Sequence, residues 1–341
     1  MDSPEVRGLP EGGCNDGNGF LAFRSTVSPS LELRDLTKTF GKFTALDSLN
    51  LKLEGAKCVG FLGPNGAGKT TALKMLTDMI FPTKGECFID GVSVQDQRKR
   101  ALEVCGVLIE SPEIYPSLTP YQALQMVADL RDMPEAEQKI RIPAALAEVK
   151  MGEWSDKKVG KFSKGMKQRT NIAAALVHDP AILILDEPAT GLDPRGMAEV
   201  RDIVRGLKKR DRLIFMSSHI LPEVTDVCDE VALINKGKLL FYDTLENVTT
   251  KFSHGQTSAD ASFAAPLADG VLGSQLASLP NVVRVERLDA RRVRLFLRGG
   301  LAEEAVTLKA LVALDLGLVG FQESKSALEE VYLSQIERGD S

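Results

Sequence analysis

The 341-residue sequence has no run of about 18 or more apolar residues, the length that a membrane-crossing helix requires. Its first residues, MDSPEVRGLPEGG, start acidic and lack an apolar stretch ending in a cleavage site, which argues against a secretory signal. Cysteine is scarce: the five, Cys14, Cys58, Cys87, Cys105 and Cys228, are odd in number, far apart and form no CxxC pair. That speaks against a zinc cluster and favours a reduced, cytosolic chain. A basic excess is also missing, with 42 Lys and Arg against 47 Asp and Glu and a net charge of -5. Such a balance offers no electrostatic footprint for DNA or RNA, so no nucleic-acid partner is expected.

What is present reads as a globular protein of more than one unit. The composition is 43% hydrophobic and 26% charged, and the length exceeds a single average domain. Residues 1–29, rich in Gly, Pro, Ser and acidic residues, predict a mobile extension. From Leu31 onward, short β-rich runs alternate with helical patterns, which predicts an α/β core built on a parallel sheet, with strands at 58–62, 181–185, 213–216 and 231–234. The strand signal lapses over about 111–161, where YQALQMVADLRDM and AALAEVKMGEW carry apolar residues at helical spacing. A helical insert is expected there. The stretch SHGQTSADASFAAP reads as part of a linker over 251–280. Beyond it, residues 281–341 predict a small α/β accessory domain, with strands at VVRVERL and VRLFLRG, a helix from about Ala302 and another near 326–336. No internal repeat suggests a solenoid.

The apolar run at 58–62 leads into Gly63, Pro64, Asn65, Gly66, Ala67, Gly68, Lys69 and Thr70, then into the helical TALKMLTDMI. This is the GxxxxGK[ST] pattern in the strand-to-helix context it needs. Gly66 and Gly68 let the backbone close around phosphate oxygens at a positive helix end. Lys69 would neutralise the β- and γ-phosphates of a nucleotide triphosphate, and the Thr70 hydroxyl, with Thr71 beside it, would serve bound Mg²⁺ and nucleotide.

A second apolar run, AILIL at 181–185, delivers Asp186 and Glu187 to a strand's carboxyl end, where ligands sit in open α/β sheets. Two adjacent carboxylates there call for a cation. Asp186 would hold Mg²⁺, mostly through water, and Glu187, on the opposite side of the strand, would polarise an attacking water as general base. The run at 213–216 ends in Ser217, Ser218 and His219, which places His219 for a γ-phosphate or water contact. His178 and His254 have no comparable setting.

With these parts in order, residues 31–250 resemble the nucleotide-binding subunit of an ATP-binding cassette (ABC) transporter. The deciding stretch is FSKGMKQR, about twenty residues before LILDEP, which is similar to the family's LSGGQ signature. The resemblance implies a P-loop NTPase core with an antiparallel β-subdomain and a helical subdomain. It implies ATP and Mg²⁺ as cofactors, with Phe40 stacking on adenine, His219 as the switch histidine, and Gly191, Leu192, Asp193 and Pro194 as the D-loop at the dimer interface. It further implies a head-to-tail dimer of this chain or a paralogue, in which Ser163, Lys164, Gly165 and Met166 of one copy face the nucleotide on Lys69 of the other. A separate transmembrane permease is the implied partner, and the cytoplasmic face of the membrane the implied location.

Two departures accompany the resemblance. Glu110 stands where the family places a Gln that senses γ-phosphate and Mg²⁺; a carboxylate can ligate the metal but cannot donate an amide hydrogen bond. In the signature, Lys164 replaces a Gly and Met166 the Gln. Both departures, with SALEEVYL at 326–333, resemble exporter ATPases with a separate permease, including drug and antibiotic self-resistance pumps. The same machinery could also serve a soluble translation or assembly ATPase, or a regulatory module that binds without turnover; the single cassette counts against the first, and the presence of Glu187 and His219 against the second.

Overall fold

The computed structural model describes residues 28–110, 113–208, 210–248 and 256–323. Three sheets organise them. An antiparallel sheet of order β2-β1-β4-β5 is formed by β1 (Ser30–Phe40), β2 (Phe43–Glu54), β4 (Lys84–Ile89) and β5 (Val92–Ser93), the last two following β3 (Cys58–Leu62) in the chain. The central sheet has the order β10-β9-β3-β8-β7-β6. It contains β3, β6 (Cys105–Leu108), β7 (Ile182–Asp186), β8 (Leu213–Ser218) and β9 (Glu230–Asn235) in parallel, with β10 (Lys238–Thr244) antiparallel at one edge.

Every residue of β3, β7 and β8 is buried, as expected for parallel strands covered on both faces. Their side chains divide with period two. Val59, Phe61, Ile182, Ile184, Leu213 and Phe215 join a core shared with the β-subdomain and α1 (Lys69–Leu76). Cys58, Leu62, Leu183, Leu185, Ile214 and Met216 join another, shared with the helices on the opposite face. The sheet is thus pinned from both sides, and its carboxyl ends become a fixed platform.

The region expected to be helical holds α3 (Pro120–Leu130) and α4 (Glu135–Glu148), which follow α2 (Arg98–Glu103). A capping box starts α3: the Thr119 hydroxyl accepts from Gln122 N at 3.2 Å and the Gln122 side chain accepts from Thr119 N at 3.0 Å. Next come α5 (Lys164–Leu176), α6 (Pro194–Lys208) and α7 (Leu221–Val227). Among the described residues no helix is long and apolar enough to cross a membrane.

The third sheet corrects one expectation. Residues 251–280 do not form a linker throughout: β11 (Gln256–Phe263) is an interior strand of an antiparallel sheet β12-β13-β11-β14 with β12 (Val282–Arg287), β13 (Arg292–Arg298) and β14 (Leu318–Glu323). Its Ala259, Ala261 and Phe263 are buried in a core with Val293, Leu295 and Leu297, while Asp260 on the other face pairs with Arg294 at 2.8 Å. Small residues carry the period-two pattern here, and composition alone hid it. The helix expected from about Ala302 is α8 (Leu301–Ala313). Residues 1–27, the helix expected near 326–336 and SALEEVYL lie outside the described residues.

Candidate functional site

The loop between β3 and α1 is held at both ends. Gly63 N donates to Ser218 O at 3.2 Å, and Ala67 O accepts from Gly237 N at 2.9 Å. Gly66 (φ 81°) and Gly68 (φ 106°, the residue capping α1) occupy left-handed backbone. A Cβ on Gly68 would lie 2.7 Å from Ala45 O, so only glycine lets β2 approach the loop this closely; at Gly66 nothing lies within 4 Å, leaving the loop's rim open. Pro64 and Thr71 are half-buried and Asn65 is exposed.

Helix α1 then lays three polar side chains against the ends of two strands. Lys69, 4% exposed, donates to the Gly63 and Pro64 carbonyls at 2.8 and 3.1 Å and pairs with Glu187 Oε1 at 3.3 Å. Thr70 Oγ1 donates to Asp186 Oδ1 at 3.2 Å. Lys74, one turn beyond Thr70, reaches Glu110 Oε1 at 2.5 Å. Glu110 follows β6, which pairs with β7 at Leu108↔Leu185, and its carboxylate is taken by Lys74 of the second turn of α1, while Thr70 of the first turn meets Asp186. Its side chain is 67% exposed.

At the end of β7 the Asp186 carboxylate and the Glu187 backbone are fixed by a residue whose part its sequence context did not show. Ser217 lies opposite Asp186 in the β7–β8 register. Its hydroxyl donates to Asp186 Oδ1 at 2.6 Å and accepts from Glu187 N at 2.9 Å. Glu187 takes left-handed backbone (φ 45°), which turns its side chain from the strand. Its Oε2 accepts from Thr190 Oγ1 at 2.9 Å and lies 3.1 Å from His219 Nδ1. Partial burial works to raise the Glu187 pKa, but the Thr190 bond and the charges of Lys69 and His219 outweigh it and hold the carboxyl below its ordinary value. An ionised, well-held carboxylate 3.3 Å from a lysine, beside a hydroxyl–carboxylate pair, is equipped to accept a proton next to an anion and a hard cation.

The remaining candidates lie apart from this cluster. Ser163 caps α5 by accepting from Met166 N at 3.2 Å, and Ser163 and Lys164 are exposed. Met166 is half-buried against the core. Gly165 faces Gly196 of α6, whose N–H is capped by Asp193 Oδ1 at 2.9 Å, so the signature and D-loop segments adjoin. Among the described residues no hydrogen bond or ion pair joins Ser163 or Gly165 to Lys69. Buried Gln168 is a second residue without an assigned role: its Nε2 donates to Pro188 O at 2.8 Å, tying α5 to the turn after Glu187. Phe40, at the end of β1, is 51% exposed with Lys38 Nζ 5.0 Å from its ring centre.

Residues 46–190 match the family model described as ABC transporter. The bacitracin transport ATP-binding protein BcrA of Bacillus licheniformis is 40% identical over 236 residues, covering 68% of this chain and 76% of BcrA. The lantibiotic transport ATP-binding protein SrtF of Streptococcus pyogenes is 36% identical over 227 residues, covering 66% and 96%. An ABC transporter ATP-binding protein of Nostoc sp., all4389, is 33% identical over 307 residues, covering 88% and 85%. Among solved structures, an ATP-binding subunit of an ABC transporter aligns with a TM-score of 0.58 at 28% identity, over 65% of this chain and 92% of that one. The loop-and-carboxylate geometry and these likenesses agree: the chain belongs to the ABC transporter ATP-binding proteins and is a P-loop ATPase.

Proposed function

We propose that this ATPase is the motor of an exporter, driving a separate membrane permease from the cytoplasmic face of the bilayer as one half of a head-to-tail pair. The observation that carries the hydrolytic part is the meeting, at the end of β7, of Lys69 with Glu187 and of Thr70 with Asp186. The export part is supported by BcrA and SrtF, which are named for bacitracin and lantibiotic transport; nearly the whole of SrtF aligns with this cassette.

The donor set fits ATP with Mg²⁺. Thr70 Oγ1 and Asp186 Oδ1 are hard oxygen ligands of the kind magnesium takes together with nucleotide and water oxygens. When bound, the metal supplies positive charge against the phosphates. Lys69 exchanges its loop carbonyls for phosphate oxygens, and the exposed Phe40 ring offers a face to adenine. Glu187 accepts the proton of the attacking water, while Thr190 and His219 hold its Oε2 in place. Ser163 and Gly165 of a second copy, or of a paralogue, complete the site through the N-terminus of α5. Closure of the pair on ATP and its opening after hydrolysis supply the motion passed to the permease.

Steady-state ATPase assays test the hydrolytic part: Glu187→Gln is expected to lower kcat by at least about 100-fold, in the range of general-base losses. Equal rates for the two proteins would remove Glu187 as the base. Purification of the tagged chain from membranes tests the export part, where a multi-span partner supports it and a purely soluble partner overturns it.

A further inference from the structure

Ser218 is a junction between the phosphate loop, His219 and α7. Its hydroxyl donates to Glu223 Oε2 at 2.6 Å and accepts from Ile220 N at 2.9 Å, and its carbonyl accepts from Gly63 N at 3.2 Å. Its neighbours Ser217 and His219 reach the other way, to Asp186 and Glu187. The alternation of the strand end thus sends one side chain to α7 and two to the carboxylates. Helix α7 is itself fixed: Gly60 of β3 has no Cβ, and one added there would lie 2.5 Å from Val224, so the helix rests directly on the strand that feeds the phosphate loop.

Glu223 is an expensive residue at such a place. It is 3% exposed, and its Oε1 is buried without a hydrogen-bond partner. Burial pushes its carboxyl above the ordinary value, against the Ser218 bond and the charges of His219 and Arg201. A half-satisfied buried carboxyl destabilises a fold. The small cavity beside it is lined by Val200, Val204, Met216 and Val227 together with Arg201, which has its own partner in Asp226, so a leucine would suit the apolar side of it. What leucine would not provide is the bond to Ser218.

We propose that Glu223 is a positioning residue for ATP hydrolysis, holding His219 against Glu187 through the Ser218 hydroxyl. This rests on the reading of Glu187 and His219 as the hydrolytic pair. The test is steady-state ATPase of Glu223→Leu, Glu223→Gln and Ser218→Ala, alone and in a His219→Ala background. Glu223→Leu and Ser218→Ala are expected to lower kcat about 10- to 100-fold with KM for ATP nearly unchanged, as misplacement of a catalytic group by up to about 1 Å does. Glu223→Gln, whose amide oxygen accepts the same bond, is expected to recover kcat to within about threefold of wild type. In the His219→Ala background, neither Glu223→Leu nor Ser218→Ala should lower kcat further. Full kcat in Glu223→Leu or Ser218→Ala, failure of Gln to rescue, or losses that add to that of His219→Ala would each overturn the inference. If Glu223→Leu does not fold, Ser218→Ala read beside Glu223→Gln decides: Ser218→Ala removes the bond to Glu223 together with the one from Ile220 N, and Glu223→Gln keeps both. Full kcat in His219→Ala would overturn the underlying reading as well, a result distinct from loss in His219→Ala with no loss in the Glu223 and Ser218 variants.

Discussion

Replacing Ser217 by alanine isolates the contact that orders the carboxylates. The hydroxyl is fully buried and serves two bonds, one given to Asp186 at 2.6 Å and one received from Glu187 N at 2.9 Å. A bond to a charged group contributes about 1.5–3 kcal/mol, and a buried N–H left alone costs about 1–3 kcal/mol. Asp186 keeps its bond from Thr70, and an alanine methyl fits the space, so the net loss is about 2–4 kcal/mol. For a domain of this size that is a fall in Tm of about 5–15 °C. The same change lets the Asp186 carboxylate wander, so the Mg²⁺ concentration for half-maximal ATPase should rise about tenfold, the equivalent of about 1.4 kcal/mol. Differential scanning fluorimetry and a Mg²⁺ titration read the two effects. An unchanged Tm together with an unchanged Mg²⁺ requirement would refute the assignment of Ser217 as the group that holds the Asp186 carboxylate and the Glu187 backbone.

Arg212 is buried ahead of β8, bonded to Glu148 at 2.9 Å and Asp179 at 2.6 Å. Arg212→Met leaves Glu148 with Arg210 and Asp179 with Arg141, and should destabilise the protein by about 1–3 kcal/mol, seen as a lower Tm, while ATPase at low temperature is retained because the site lies at the other end of the strand. Glu187 has its folded pKa below the ordinary 4.5, so its charged form adds stability that is complete above the unfolded value and lost as pH falls through the folded one. With His219 replaced by Ala in both proteins, so that the imidazole does not titrate in the same window, the Tm difference between Glu187 and Glu187→Gln should be flat from pH 7 down to about 5.5 and change only in more acid solution. A difference that changes steadily from pH 7 downward in that background would show the opposite shift.

The parallel strands were legible because burial on both faces demands continuous apolar runs, and CVGFL, ILILD and LIFMSS are such runs. The strand β11 was not, since alanines at alternate positions, between serines and an aspartate on the other face, satisfy a sheet core without looking hydrophobic. The same distinction separates the site residues. The loop at 63–70 and the Asp186–Glu187 pair are contiguous, so their local context could be read directly. The parts played by Ser217, Gln168 and Thr190 depend on strand register, helix packing and the turn after Glu187, which spacing does not encode. At Glu110 the departure from Gln was visible, but its partner Lys74, 36 positions away, is chosen by where β6 ends against α1.

The central claim is a hydrolytic site shared between two copies, and mixing two inactive variants tests it most directly. Lys69→Ala disables the phosphate loop, and Gly165→Asp puts a carboxylate on the signature at a place where a Cβ meets only ordinary contact distance, 3.5 Å to Gly196. If each site takes Lys69 from one chain and Gly165 from the other, every mixed pair keeps one intact site. Random mixing of equal amounts should then recover roughly one quarter of wild-type ATPase activity. Activity no higher than the mean of the two variants measured alone would contradict the account.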